Sequence, residues 1–283
     1  MSYHKIISDI DVITIEYAGS DRLWQQLGDI FMGTPLARIQ GISPDGFREW
    51  NEQRETHRMW RLFFYSAETK TLIIKFPSES HEILHHRIYG KLSFCLINNG
   101  LQRQARGMGA TTHFMRQNGR LIAAGEGDSS LVVVPVSRKN RFPSVVVETG
   151  WPQFMPAVRA KVHWWFDVSQ GAVRIVLLAI LSDNLRNITV EKWKLSGQGN
   201  PRPGATTTRA SSASLTIPVL QETVVITRAA KRKNTPAAYQ VTGAPLRLEF
   251  EDVFLQTPVA SQTSIVLDDE FFQLCDWMVS DAE

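Results

Sequence analysis

The sequence predicts an α/β fold, and three features predict it. SVVVETG at 144–150 is a valine strand, PAVRAKVHWWFDVS has helical periodicity, and AVRIVLLAIL follows as a nearly continuous apolar run. Strand, helix and strand over 144–181 therefore read as a βαβ crossover, with the apolar run in a sheet covered on both faces. An alternating strand, ITVEKWKL, lies next to it in sequence.

The remaining elements follow in order. SDRLWQQLGDIF and SPDGFREWNEQRE predict two short helices, the second capped by Ser43 or Asp45. RLFFYSAETKTLIIKFP places two β-rich runs around AETK, the pattern of a hairpin. In SESHEILHHRIYGKLSFCLINNG, Ile83 or Leu84, Ile88, Leu92, Cys95 and Leu96 are spaced for one buried helical face, and Gly100 stops the helix. GRLIAAGEGDSSLVVVPVS reads as strand, Gly-rich turn, strand. SGQGNPRPGATTTRASSAS, at 196–214, has the composition of a flexible loop. SIVLDDEFFQLCDWMVSD predicts a strand and a closing helix with Phe271, Leu274, Cys275 and Met278 on one face. These patterns divide the chain into an extension at 1–60 packing on the core, a core at 61–195, the loop, and C-terminal strands with a closing helix of the same domain at 215–283.

With 283 residues and 43% hydrophobic content, the chain can bury a sizeable core. Its formal charge of +3 permits a polyanion partner without demanding one. Cys95 and Cys275 sit in apolar helical patterns, which predicts reduced thiols rather than a disulfide framework. MSYHKIISDID lacks the pattern of a signal peptide, and no apolar run reaches the length of a membrane span, so the expectation is an intracellular protein, cytoplasmic or nuclear, with no membrane partner.

Glu148 is the residue that calls for an explanation. A carboxylate at the tip of a buried strand must be compensated by a partner, a metal ion or solvent. The carboxyl end of a parallel strand is also where open α/β sheets commonly bind ligands. Asp128 follows a Gly-rich bend and Glu82 opens a helix, so Glu82, Asp128 and Glu148 together would form a hard oxygen site suited to Mg²⁺. His81-Glu82-Ile83-Leu84-His85 has the HExxH spacing of zinc peptidases, although the third histidine of the metzincin extension is missing. Trp151, just after the glutamate, is placed to line a small-molecule pocket. Two sparse basic clusters, Arg228, Lys231, Arg232 and Lys233, and Arg103, Arg106, Arg116 and Arg120, are candidates for phosphate contacts. No P-loop, dinucleotide fingerprint or GxSxG elbow is present.

The segments LIIKFPSESHEILHH, GEGDSSLVVVP, PSVVVETGWPQFMPAVRAKVHWWFDVSQGAVRIVLLAI and ITVEKW resemble the core of a fungal family of uncharacterised proteins related to the restriction-endonuclease-like, PD-(D/E)XK nuclease superfamily. The resemblance spans about residues 70–195 and is strongest over 143–180. It implies a mixed four-stranded sheet flanked by helices, Glu82 as the helix acid, and Asp128 and Glu148 as the strand acids that bind Mg²⁺. Glycine at position 150 stands where the superfamily's lysine is expected, and the resemblance makes Arg159 or Lys161 of the next helix its replacement. The implied function is a Mg²⁺-dependent nuclease or a nuclease-derived nucleic-acid-binding protein that is catalytically degenerate. The alternatives are a small-molecule enzyme of fungal secondary metabolism using the same carboxylates, and a noncatalytic interaction protein.

Overall fold

The structure, a computed structural model, describes residues 12–30, 36–54, 56, 60–134, 142–182, 187–196, 217–228, 239–259 and 263–275. Strand β1 (Ile13–Glu16), helix α1 (Ser20–Ile30), β2 (Leu36–Gln40) and α2 (Pro44–Arg54) come first. The β3 (Arg61–Ser66) and β4 (Thr71–Lys75) hairpin, α3 (Glu79–Asn98), β5 (Ala105–Met108), β6 (Thr112–Gln117), β7 (Arg120–Glu126) and β8 (Ser129–Val133) follow. The crossover is β9 (Val145–Gly150), α4 (Met155–Val168) and β10 (Ile175–Leu181), and β11 (Asn187–Leu195), β12 (Pro218–Arg228) and β13 (Tyr239–Thr242) extend it. A last group comprises β14 (Leu246–Leu248), α5 (Phe250–Phe254), β15 (Ile265–Leu267) and α6 (Asp269–Cys275).

The long strands form two sheets. One has the order β1-β2-β4-β3-β7-β6 and the other β13-β12-β11-β10-β9-β8-β5. Strands β9 and β10 are parallel, with Glu148 opposite Leu178, and β5, β8 and β9 are antiparallel neighbours. Within this sheet of seven strands, β8, β9 and β10 carry α3 and α4 on their two faces, the mixed sheet flanked by helices that the sequence leads one to expect. Between β5 and β8 the chain leaves this sheet to add β6 and β7 to the other, so Gly127 and Asp128 occupy the passage from one sheet to the next. GEGDSS is therefore a crossing point between sheets, where the sequence pattern suggests only a turn.

Two-residue periodicity decides what each face of β9 meets. Val145 and Val147 join Leu84, Ile88 and Leu92 of α3 in one apolar cluster. Val146 turns the other way, toward Val158, Val162 and Trp165 of α4. That second cluster also contains Phe63, Phe64, Ile73 and Ala123 of the six-stranded sheet, so α4 lies between the two sheets. Helices α1 and α2 cover the far face of the six-stranded sheet through Leu23, Leu27, Phe47 and Trp50. The consequence for chemistry is direct: Lys161, on the part of α4 enclosed by the sheets, has no route to water.

Local signals explain the ends of the main helices. Ser78 accepts from the His81 backbone N–H at 3.2 Å and caps α3, and Gly100 ends it with φ +69°. Ser43 caps α2 by accepting from the Gly46 N–H at 3.1 Å. No helix among the described residues is long and apolar enough to cross a membrane. Of the closing helix, Phe271 is buried, and the side chains of Leu274, Cys275 and Met278 lie outside the described residues, as does most of the 196–214 segment.

Candidate functional site

The two strand acids meet. Asp128, at the passage between sheets, and Glu148, on the α4 face of β9, are 5% and 0% exposed. The site expected at the carboxyl end of the valine strand is a buried one, because α4 and the six-stranded sheet close over it. Thr149 donates to Asp128 Oδ2 through both its backbone N–H, at 2.8 Å, and its hydroxyl, at 2.9 Å. His81 Nε2 lies 3.2 Å from the same oxygen, and the Lys75 ammonium binds Oδ1. Glu148 Oε1 accepts from the Trp165 indole N–H at 2.6 Å and pairs with Lys161 Nζ at 3.1 Å. Lys161 also donates to the Glu126 carbonyl. Glu148 Oε2 has no hydrogen-bond partner among the described residues and faces Lys75 Nζ at 3.9 Å.

Lys161 and Arg159, the two candidate replacements for the missing motif lysine, have separate fates. Lys161 is fully buried beside Glu148 and over the Phe63 ring, at 4.3 Å from its centroid. Arg159 is half exposed and turns to Glu191 on β11, at 2.7 Å, so the structure does not bring it to the acids. Glu82, the helix acid, touches His81, His85 and Arg61, and reaches Asp128 only through the His81 ring. Trp165 of α4 is buried in the core and has a polar task as well. Its indole N–H holds Glu148.

Lys75 is the residue of this constellation that sequence reasoning missed. Its signal was present: LIIKFP ends a buried apolar run in a cation, just as SVVVETG ends one in an anion. A charge at the end of a buried strand needs a partner, and these two strand ends compensate each other from different sheets.

The electrostatics follow from this packing. Burial alone would raise the Asp128 pKa, but the charges of Lys75 and His81 outweigh it and hold the carboxyl well below its usual range. For Glu148, burial, reinforced by the neighbouring Asp128 charge, pushes the pKa up despite Lys161 and Lys75. Burial, with Lys75 adding repulsion, lowers the Lys161 pKa against the pull of Glu148. Burial would lower the pKa of His81, but Asp128 and Glu82 carry it above its ordinary value. The His81 and His85 rings beside it, helped by the Arg61 charge, bring Glu82 far below the carboxylate range despite its burial.

The donor set also tests the expected Mg²⁺. A magnesium ion needs octahedral oxygen ligands, some of them water. Here both Asp128 oxygens are engaged by nitrogen and hydroxyl donors, and the positive charge between the carboxylates is the Lys75 ammonium. Asp128 and Glu148 in this arrangement do not fit Mg²⁺. His81, Glu82 and His85, by contrast, form a group able to hold a divalent metal, with one ligand atom from each lying within 4.8 Å of the others.

The surroundings limit access. A narrow cavity of about 30 Å³ beside Lys75 and His81 is lined by Thr149, Gly150, Trp151 and Phe154. Trp151 does line a pocket, but one with room for water rather than for an organic substrate. The basic cluster at 103–120 divides, with Arg103 and Arg106 on one groove and Arg116 and Arg120 on another. Lys231, Arg232 and Lys233 lie outside the described residues.

Fold and site together define a mixed α/β protein with a buried constellation of two acids and two lysines. No protein-family model and no curated protein matches the chain. Among solved structures it is similar to a protein from Anabaena variabilis ATCC 29413 described as "a putative nuclease belonging to DUF820". The identity is 13% and the TM-score 0.34, over 73% of this chain and 87% of that one. At that level the likeness carries no functional argument, and the site must be read from its own geometry.

Proposed function

We propose that this chain is a nuclease-derived nucleic-acid-binding protein whose phosphodiesterase centre is closed by an internal ammonium group. One observation carries the reading: Lys75 binds Asp128 and faces Glu148, placing a fixed positive charge between the two acids that a nuclease would use for its metal. Lys161 completes an Asp-Glu-Lys grouping drawn from the crossing point, β9 and α4, which supports descent from a hydrolytic site. The closure of that grouping by Lys75, and the small cavity beside it, support loss of turnover. The mildly basic charge and the exposed Arg103, Arg106, Arg116 and Arg120 suit contacts to phosphate that carry no sequence information.

Anisotropy titration of labelled single- and double-stranded DNA and RNA, with and without Mg²⁺ or Mn²⁺, tests both halves. The expected result is binding that weakens as salt rises, needs no metal, and leaves the strand intact. Metal-dependent cleavage abolished by Asp128→Asn would overturn the closure. Failure to bind any of these strands at low salt would overturn the nucleic-acid assignment.

A further inference from the structure

We propose that His81, Glu82 and His85 form a binding site for a zinc-class divalent transition metal, separate from the Asp128 and Glu148 pair. The starting point is helical spacing, which sets residues 81 and 85 on one face of α3 with residue 82 beside them. In peptidases with the HExxH spacing, the glutamate stands beside a zinc-bound water. Here the Glu82 carboxylate lies between the imidazoles, with Oε1 3.6 Å from His81 Nδ1 and Oε2 3.4 Å from His85 Nε2. Ligand atoms on a tetrahedral zinc stand about 3.3 Å apart, given bonds of about 2.0 Å. Each imidazole thus stands near that spacing from one of the two Glu82 oxygens, and one ligand atom from each of the three residues lies within 4.8 Å of the others.

The second observation is the way each ring is held from behind. His81 Nε2 is 3.2 Å from Asp128 Oδ2, and His85 Nδ1 is 3.0 Å from Ser129 Oγ. In each ring one nitrogen has a polar partner behind it and the other points at Glu82. Metal-bound histidines are oriented in this way, with a carboxylate or hydroxyl fixing the ring so that the opposite nitrogen's lone pair faces the ion. The His81 side chain is 6% exposed, and its Nδ1 has no hydrogen-bond partner among the described residues. A buried nitrogen left unbonded and aimed at a carboxylate beyond hydrogen-bond reach is what an ion between them would satisfy.

Two imidazole nitrogens and one carboxylate oxygen select a borderline ion of the zinc class over Mg²⁺ or Ca²⁺, which prefer oxygen ligands throughout. Three protein ligands leave a fourth position for water, and Glu82, 28% exposed, opens the site to solvent. Other charged groups surround it. Arg61 Nη2 is 3.3 Å from Glu82 Oε2, exposed His86 reaches the same oxygen at 4.0 Å, and Lys75 Nζ is 3.4 Å from His81 Nε2. With metal on Nδ1, His81 Nε2 donates to Asp128, so the ion would also fix one face of the acid and lysine cluster. The proposal does not depend on the nuclease-derived reading.

The test is a Co²⁺ titration of the full chain after chelator treatment, followed by its visible absorption and then by displacement with Zn²⁺. The expected result is one equivalent of Co²⁺ with a low-coordinate spectrum, displaced by one equivalent of Zn²⁺ and retained in His86→Ala. Ser129→Ala should weaken binding by about 10- to 100-fold, and His85→Gln and Glu82→Gln by more. If His85→Gln fails to fold, Glu82→Gln decides, because Glu82 is partly exposed and its amide preserves the shape of the side chain. No saturable Co²⁺ binding at micromolar concentration would overturn the proposal. So would binding that survives Glu82→Gln or is abolished by His86→Ala.

Discussion

At the scale of single residues, the side chains of Lys75 and Asp128 are 7% and 4% exposed, so removing one of their charges strands the other in a medium that cannot solvate it. Lys75→Met should therefore cost about 3–5 kcal/mol in chemical denaturation, and Asp128→Asn in the same chain should recover part of that loss. In Lys75→Ala, Mg²⁺ should raise the melting midpoint, because the space between the carboxylates is then vacant, whereas the wild type should not respond. A Mg²⁺ response equal in both proteins would show that Lys75 does not exclude the ion. A second charged residue predicts the acid limb of stability. Burial alone would raise the Glu126 pKa, but the Arg54 guanidinium, 2.8 and 2.5 Å from its two oxygens, together with Thr112 and the more distant Lys161 charge, brings it below the ordinary value. A lowered folded pKa gives stability that is present above the unfolded pKa of about 4.3 and lost as pH falls through the folded value. Glu126→Gln should lower stability at neutral pH and flatten its decline below pH 4.3, as urea midpoints at stepped pH would reveal. These charges were only half legible in the sequence. Glu148 and Asp128 stood out as acids at a strand end and a bend, but their partner Lys75 belongs to a strand more than 50 positions earlier, and no local spacing joins them.

At the scale of elements, β9 and α4 approach so closely that a glycine is required at the strand's end. A Cβ on Gly150 would lie 2.7 Å from Val158 Cγ2, inside van der Waals contact. Gly150→Ala should cost about 1–3 kcal/mol by overpacking, and Val158→Ala in the same chain should return much of it, so the two changes are non-additive in a double-mutant cycle. Additive losses would place the strain elsewhere. The same contact explains why glycine stands where the resemblance leads one to expect lysine. A long side chain at 150 would meet Val158, and the ammonium group beside Glu148 comes instead from Lys161, one helical turn beyond Val158 on the same face of α4. The crossover was readable because both its strands are buried and its helix has a clear period. Strands β1, β5 and β6, with mixed burial along their lengths, carry no strong alternation, and their place in a sheet is settled by neighbours distant in sequence.

At the scale of the whole molecule, α4 is a layer shared by two sheets. Trp164, Trp165 and Phe166 are buried, and their cluster draws Phe64 and Ile73 from the six-stranded sheet and Val176 and Leu178 from the seven-stranded one. Gly125 makes the contact closer still, since a Cβ there would lie 2.3 Å from the Trp164 ring. Two domains meeting at an ordinary interface would present more polar surfaces able to separate. Here neither sheet can keep its apolar face covered once the helix leaves, and the paired charges of the site bind the sheets together at the same place. The two sheets should therefore unfold together, giving one calorimetric transition with matching calorimetric and van't Hoff enthalpies. Phe64→Ala in β3 and Leu178→Ala in β10 each remove a buried side chain from opposite sides of α4, at a cost of about 3–5 and 2–5 kcal/mol. Each should move the whole transition to lower temperature. If either variant instead split it, leaving one sheet's signal at the wild-type midpoint, the shared helix would not be coupling the sheets, and the site would lie between separable units.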